Sequence, residues 1–98
     1  MRIRLREISI TPITPTKKGI IAFVNYIIND SFKVCDTAIA TDLKNGGYRL
    51  IYPIKQIPST TKTIQVFYPI TTEASNQITK QVLKAYEQIT KQSLRGYK

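Results

Sequence analysis

The chain opens in strict alternation. In Arg2-Ile3-Arg4-Leu5-Arg6, Ile3 and Leu5 fall on one face of an extended segment and the three arginines on the other. Ile8 and Ile10 continue the apolar period out of phase, which predicts a bulge near Arg6–Glu7. Thr11-Pro12 through Lys17-Lys18-Gly19 reads as a loop. Residues 20–28 form a continuous β-branched and aromatic run, too apolar for a strand with one solvated face, and so predict a central strand. Asn29-Asp30-Ser31 has turn chemistry, and residues 32–41 read as the returning strand of a hairpin. Lys44-Asn45-Gly46-Gly47 tolerates positive φ and marks the next turn. A fourth strand over 48–52 is closed by Pro53, residues 54–62 read as a polar loop containing Pro58, and 63–68 read as a short fifth strand ending at Pro69.

The period then changes. Thr71 or Thr72 can cap a helix, with Glu73 facing the positive end of its dipole. Ile78, Val82, Ala85, Tyr86 and Ile89 recur at helical spacing, and Gly96 offers an end. At about 100° per residue these side chains share one face, while Lys80, Lys84, Lys91 and Arg95 fall within about 60° of one another on the opposite side. Such a stripe is either a solvated helix face or a phosphate-binding one, and Glu87 interrupts it with a possible i,i+4 pairing to Lys91. The predicted fold is α+β: one domain over 1–98, an antiparallel sheet of about five strands, a helix over about 72–92, and a short tail.

Charge changes the picture most. Fifteen Lys and Arg against six Asp and Glu give a net charge of +9, a field that attracts polyanions. Nucleic acid is the commonest such partner; an acidic protein surface, an anionic membrane and a plain surplus of charge stay open. No apolar run reaches the length of a membrane span, and the amino terminus has no signal-peptide core. With its single Cys35 the chain can form no disulfide framework. The expectation is a soluble cytoplasmic protein.

Catalytic chemistry is hard to assemble from these residues. Without histidine the usual general base, the Ser–His and Cys–His pairs and the usual zinc ligand are missing. Cys35 alone cannot build a structural zinc site and reads as a small half-buried strand residue. Asp30, Asp36 and Asp42 suggest no acid–base couple, and Lys44-Asn45-Gly46-Gly47 lacks the Gly-Lys-Ser/Thr ending of a P-loop. The expectation is a protein that is not an enzyme and has no catalytic residues, cofactor or metal.

The order of several short motifs resembles the SpoVG (septation or stage V sporulation) family of small bacterial regulators. They are Ala22-Phe23, Phe32-x-Val34-x-Asp36, Gly47-Tyr48-x-Leu50-Ile51-Tyr52-Pro53, Phe67-Tyr68-Pro69-Ile70-Thr71-x-Glu73 and Val82-Leu83-Lys84-Ala85-Tyr86-Glu87. The resemblance implies an antiparallel sheet with a carboxy-terminal helix, a homodimer joined through strands, and binding to DNA and RNA. It also implies nucleic-acid contacts from a basic loop after the first proline motif and from basic helix positions. Here that loop is Ile54-Lys55-Gln56-Ile57-Pro58, where only Lys55 is basic. Ser59-Thr60-Thr61-Lys62 replaces an acidic, glycine-containing turn, and Cys35 stands where a His is common.

The reading that results is a small dimeric nucleic-acid-binding regulator. Its candidate phosphate contacts are Lys55 and Lys62 from the loop, Lys80, Lys84, Lys91 and Arg95 from the helix, and Arg49 and Lys44, which border the loop in sequence. Arg2, Arg4 and Arg6 form either a basic strand ladder or a charged edge that resists aggregation. The alternative is an adaptor recognising an acidic protein. Association with anionic membrane is disfavoured because the apolar helix face is needed to cover the sheet.

Overall fold

The computed structural model describes residues 2–42, 44 and 46–95, with side chains described as far as residue 90. Four strands, β1 (Leu5–Pro12), β2 (Ile20–Ile28), β3 (Phe32–Thr41) and β4 (Tyr48–Ile51), form an antiparallel meander in the order β1-β2-β3-β4. A separate two-stranded ribbon follows, β5 (Ile54–Gln56) paired with β6 (Thr63–Gln65), and then one helix, α1 (Thr72–Arg95). The α+β class is as read from the sequence, but the sheet is not five-stranded. β6 pairs with part of the segment read as a loop and leaves the main sheet with four strands. β1 begins at Leu5 and runs on through Thr11 and Pro12, which the sequence places in a loop, because they pair with Phe23 and Ala22 of β2; β4 ends at Ile51 and β6 at Gln65, each shorter than the apolar run that suggested it.

Bulges bring the out-of-phase apolar residues to one face. Between the pairs Arg6↔Ile27 and Ser9↔Asn25 the first strand carries an extra residue, and Glu7 sits at φ 49°. That shift turns Ile8 and Ile10 toward the core that Leu5 already faces. Between Val24↔Thr37 and Tyr26↔Val34, β3 carries an extra residue too; Asp36 adopts φ 62° and donates its N–H to Asn25 Oδ1 at 2.9 Å. Cys35, within this second bulge, is exposed rather than half-buried. The turn from β2 to β3 has positive φ at Asn29 and Asp30 and a Ser31 N–H donating to the Ile28 carbonyl at 3.0 Å. This is type I′ geometry, which follows the natural twist of the two strands.

One face of the sheet carries the core. Ala22, Val24, Tyr26, Val34 and Ile39 meet Ala74, Ile78 and Val82 of α1, with Ile3 and Leu5 closing one side. Burial of this kind stabilises by roughly 1.5–3 kcal/mol for each large apolar side chain. Tyr26 is fully buried, and its Oη lies 3.1 Å from Thr37 Oγ1, so both hydroxyls are satisfied. The helix starts where Thr71 Oγ1 accepts the Ala74 N–H at 3.1 Å, with Glu73 in the first turn.

Two glutamines then fasten α1 to the amino-terminal segment. Gln77 Oε1 accepts the Ile3 N–H at 2.7 Å; Gln81 accepts the Leu5 N–H at 2.9 Å and donates to the Ile3 carbonyl at 2.7 Å. These amides act as a substitute strand, satisfying backbone groups at the start of the edge strand.

Candidate nucleic-acid interface

The ribbon is built for exposure. All six residues of β5 and β6 are exposed, so it is held by backbone pairing and by its turn. Ile57 N–H donates to the Lys62 carbonyl at 3.0 Å, and Thr60 N–H to the Ile57 carbonyl at 3.2 Å. Pro58 then occupies the second position of a tight turn and Ser59, at φ 64°, the third, as in a type II turn. Thr60 Oγ1 donates to the Ile57 carbonyl at 2.8 Å and accepts the Lys62 N–H at 3.2 Å.

The register is Ile54↔Gln65, Lys55↔Ile64, Gln56↔Thr63, continued by the Ile57–Lys62 hydrogen bond. Because side chains alternate along each strand, Lys55 and Lys62 share one ribbon face with Ile57 and Ile64. Gln56, Thr63 and Gln65 occupy the other face with Ile54.

The helix supplies a second cationic surface. Lys80 and Lys84 are exposed, while Ile78 and Val82 are buried against the sheet. The two lysines are four residues apart, so they are neighbours on the solvent side of α1. The side chains of Lys91 and Arg95 lie outside the described residues.

A third group gathers at one end of the main sheet. Arg49, in β4, pairs across the ladder with Ala40, and the β3–β4 turn carries Lys44. Both line a hollow with Lys17 and Lys18 from the β1–β2 turn. Arg49 and Lys44 therefore cluster with other turns of the meander, although they lie near the ribbon in sequence. From the sequence alone, Lys17 and Lys18 are loop residues and nothing more. The signal available for them is topological: in a meander, the first and third turns fall at the same end.

Arg2, Arg4 and Arg6 lie at the opposite end. Arg6 Nη1 donates to Asp30 Oδ1 at 2.5 Å, with both side chains about three-fifths exposed, a surface pair worth little on its own. Arg4 N–H donates to Asn29 Oδ1 at 2.8 Å, so this segment is tied to the β2–β3 turn. Among the tyrosines, Tyr48 packs edge-on against Tyr86 with centroids 5.5 Å apart, and Tyr52 packs against Phe67 at 5.9 Å. Both rings are engaged with the body of the domain. Tyr68 is half exposed.

Among the described residues no helix is long and apolar enough to cross a membrane. Comparison with individually curated proteins gives no match. The family model for SpoVG matches residues 1–88, through the sheet, the ribbon and most of the helix. The chain therefore belongs to the SpoVG family, which supports a regulatory role connected with sporulation or septation.

Proposed function

We propose that this protein is a non-enzymatic, cytoplasmic, homodimeric regulator that binds DNA or RNA through the phosphate backbone. The observation that carries the reading is the ribbon. It presents Lys55 and Lys62 on one face of an element that contributes no buried residue to the core. A two-stranded ribbon can enter or track a nucleic-acid groove, and cations on it neutralise phosphates and release counterions. Lys80 and Lys84 extend the cationic surface on the helix. Base specificity is not needed for this mode, because phosphate contacts position without reading sequence.

Assembly into a homodimer has its own support. Ile54 and Val66 are each about half exposed, and Phe23, Ala38 and Ile51 line an apolar hollow on the sheet face away from α1. A ribbon of two strands is marginal alone in water, and a second copy would bury these side chains. Light scattering at micromolar concentration should give a mass near twice 11.2 kDa; a monomer throughout that range refutes the dimer.

The binding test compares duplex DNA, single-stranded DNA and RNA of matched sequence across salt concentrations. Log affinity for duplex should fall with log salt at a slope of about −0.9 per phosphate neutralised. Changing Lys55 and Lys62 to Gln should weaken binding to every sequence and reduce the slope by about 1 per lost contact. Unchanged affinity and slope in the folded double variant would remove the ribbon from the interface. No binding to any of the three nucleic acids would refute the function.

A further inference from the structure

The hollow at the end of the meander gathers four cations from two turns and one strand. It has a volume of about 490 Å³ and takes Lys17 and Lys18 from one turn, Lys44 from another and Arg49 from β4, against the single carboxylate of Asp42. Asp42 Oδ1 accepts the Lys44 N–H at 3.2 Å, while Asp42 N–H donates to the Gly47 carbonyl at 2.9 Å. The acid is thereby engaged in shaping the turn that carries Lys44. Among the described residues none of the four cationic side chains is held in an ion pair.

The floor of the hollow is fixed by backbone bonds. Gly19 N–H donates to the Thr16 carbonyl at 2.9 Å, closing a tight turn with Lys17 and Lys18 at its two corner positions. Thr16 Oγ1 accepts the Ile20 N–H at 3.1 Å, and Thr41 N–H donates to the Gly19 carbonyl at 2.9 Å, tying this turn to β3. Gly19 sits at φ +85°, and a Cβ there would lie 2.8 Å from Thr41 Oγ1, so only glycine allows the approach. The two adjacent lysines therefore project from a turn that is tied by backbone bonds to the strand leading into the Lys44 turn.

We propose that this hollow is a phosphate-binding site, separate from the ribbon and the helix stripe. Four cations facing a hollow of about 490 Å³ suit a compact anion such as a phosphate or diphosphate group. Lysines act as point charges on phosphate, and arginine adds planar, paired donors. Two sources offer this chemistry: a phosphodiester of a bound polynucleotide, which rests on the function proposed above, and a free phosphorylated small molecule, which does not.

The test titrates inorganic pyrophosphate into the full chain and follows the Gly19 and Thr41 amide signals by NMR, beside the variant carrying Lys17→Gln and Lys18→Gln. All four cationic positions are exposed, so the variant should keep its spectrum away from the turns. Saturable shifts that weaken about tenfold or more in the variant are expected, since each tenfold corresponds to about 1.4 kcal/mol. A Lys17→Arg, Lys18→Arg variant should retain binding. Absence of saturable shifts, or equal affinity in the Gln variant, overturns the site whether or not nucleic acid binds elsewhere. With the site established, an oligonucleotide that displaces pyrophosphate identifies the polynucleotide as its source. An oligonucleotide that binds without displacing it, or does not bind, assigns the hollow to a free phosphate compound; only the latter result also removes the nucleic-acid function.

Discussion

The sheet–helix body and the β5–β6 ribbon are made of similar residues but held by different forces. Body strands alternate or run apolar and bury Val24, Tyr26, Ile39, Ile78 and Val82 almost completely. Residues of the ribbon are just as β-branched, with Ile54, Ile57, Ile64 and Val66 close in sequence, yet β5 and β6 bury nothing. Its shape comes from register, Pro58 and the hydroxyl bonds of Thr60. Hydrophobic composition alone therefore does not make a core strand; a covering surface does. It follows that the body sets stability, and under the proposed function the ribbon is left to bind.

The sharpest way to break that contrast is a matched pair of truncations. Ile39 is fully buried and Ile64 about half exposed. Ile39→Ala should cost about 2–5 kcal/mol through lost transfer energy and a cavity. Ile64→Ala should stay within about 0.5 kcal/mol. Urea denaturation of the two variants measures both, and comparable losses would show that the ribbon is part of the cooperative core.

Alkaline titration probes the body through its buried tyrosines. Burial pushes the Tyr26 phenol from 10.0 up to about 12, with the Thr37 hydroxyl opposing the shift and the nearby Tyr52 adding to it. The folded chain thus holds this proton more tightly than the unfolded one. Stability from this group is complete below pH 10 and is lost as pH rises from 10 to 12, by about 3 kcal/mol at 1.36 kcal/mol per unit. Burial also raises Tyr52 and Tyr86 and works in the same direction. Tyr26→Phe should flatten the pH dependence while costing about 1–3 kcal/mol at neutral pH, because buried Thr37 loses its partner. A variant with unchanged alkaline stability loss would place the effect elsewhere.

The glutamine fastening ranks next. Gln81→Ala removes the hydrogen bonds to Leu5 N–H and the Ile3 carbonyl, and leaving partly buried backbone groups unpaired should cost about 1–2 kcal/mol. Hydrogen exchange at the Leu5 amide should accelerate more than exchange at β3 amides. Equal acceleration everywhere would mean that the clamp acts only through global stability.

Much of the body is legible in the sequence because its signals are local. Alternation at Ile3 and Leu5, the phase slip to Ile8, turn chemistry at Asn29-Asp30 and the helical spacing of Ile78 and Val82 each report on one element. The ribbon is not legible in the same way. Ile54-Lys55-Gln56 has three residues, one a lysine, and its strand character depends on a partner that lies beyond a proline turn. Nor do Gln77 and Gln81 announce themselves, since an exposed helix glutamine and one that caps a distant strand look alike in sequence. Of the candidate site, Lys80 and Lys84 follow from helical spacing, while Lys55 and Lys62 are singled out by the family resemblance of the loop that carries them. The gathering of Lys17, Lys18, Lys44 and Arg49 required the meander, since it joins residues from separate turns.

The smallest expected effect on stability is that of changing Lys55 and Lys62 to Gln together. Both are exposed, and the register places them on one ribbon face. Neither fills space in the core, and glutamine keeps an extended polar side chain at each position. Two like charges on one small face repel weakly, so their removal slightly relieves the ribbon at low salt, and screening within about 10 Å at 0.1 M erases that gain. The net change should therefore lie within about 0.5 kcal/mol, while nucleic-acid affinity falls under the proposed function. Denaturation at low and moderate salt, run beside the binding titration, measures both on one preparation. A loss above about 1 kcal/mol would show that the lysine stems pack on Ile57 and Ile64 and stiffen the ribbon, ending the clean division between a body for stability and a ribbon for binding.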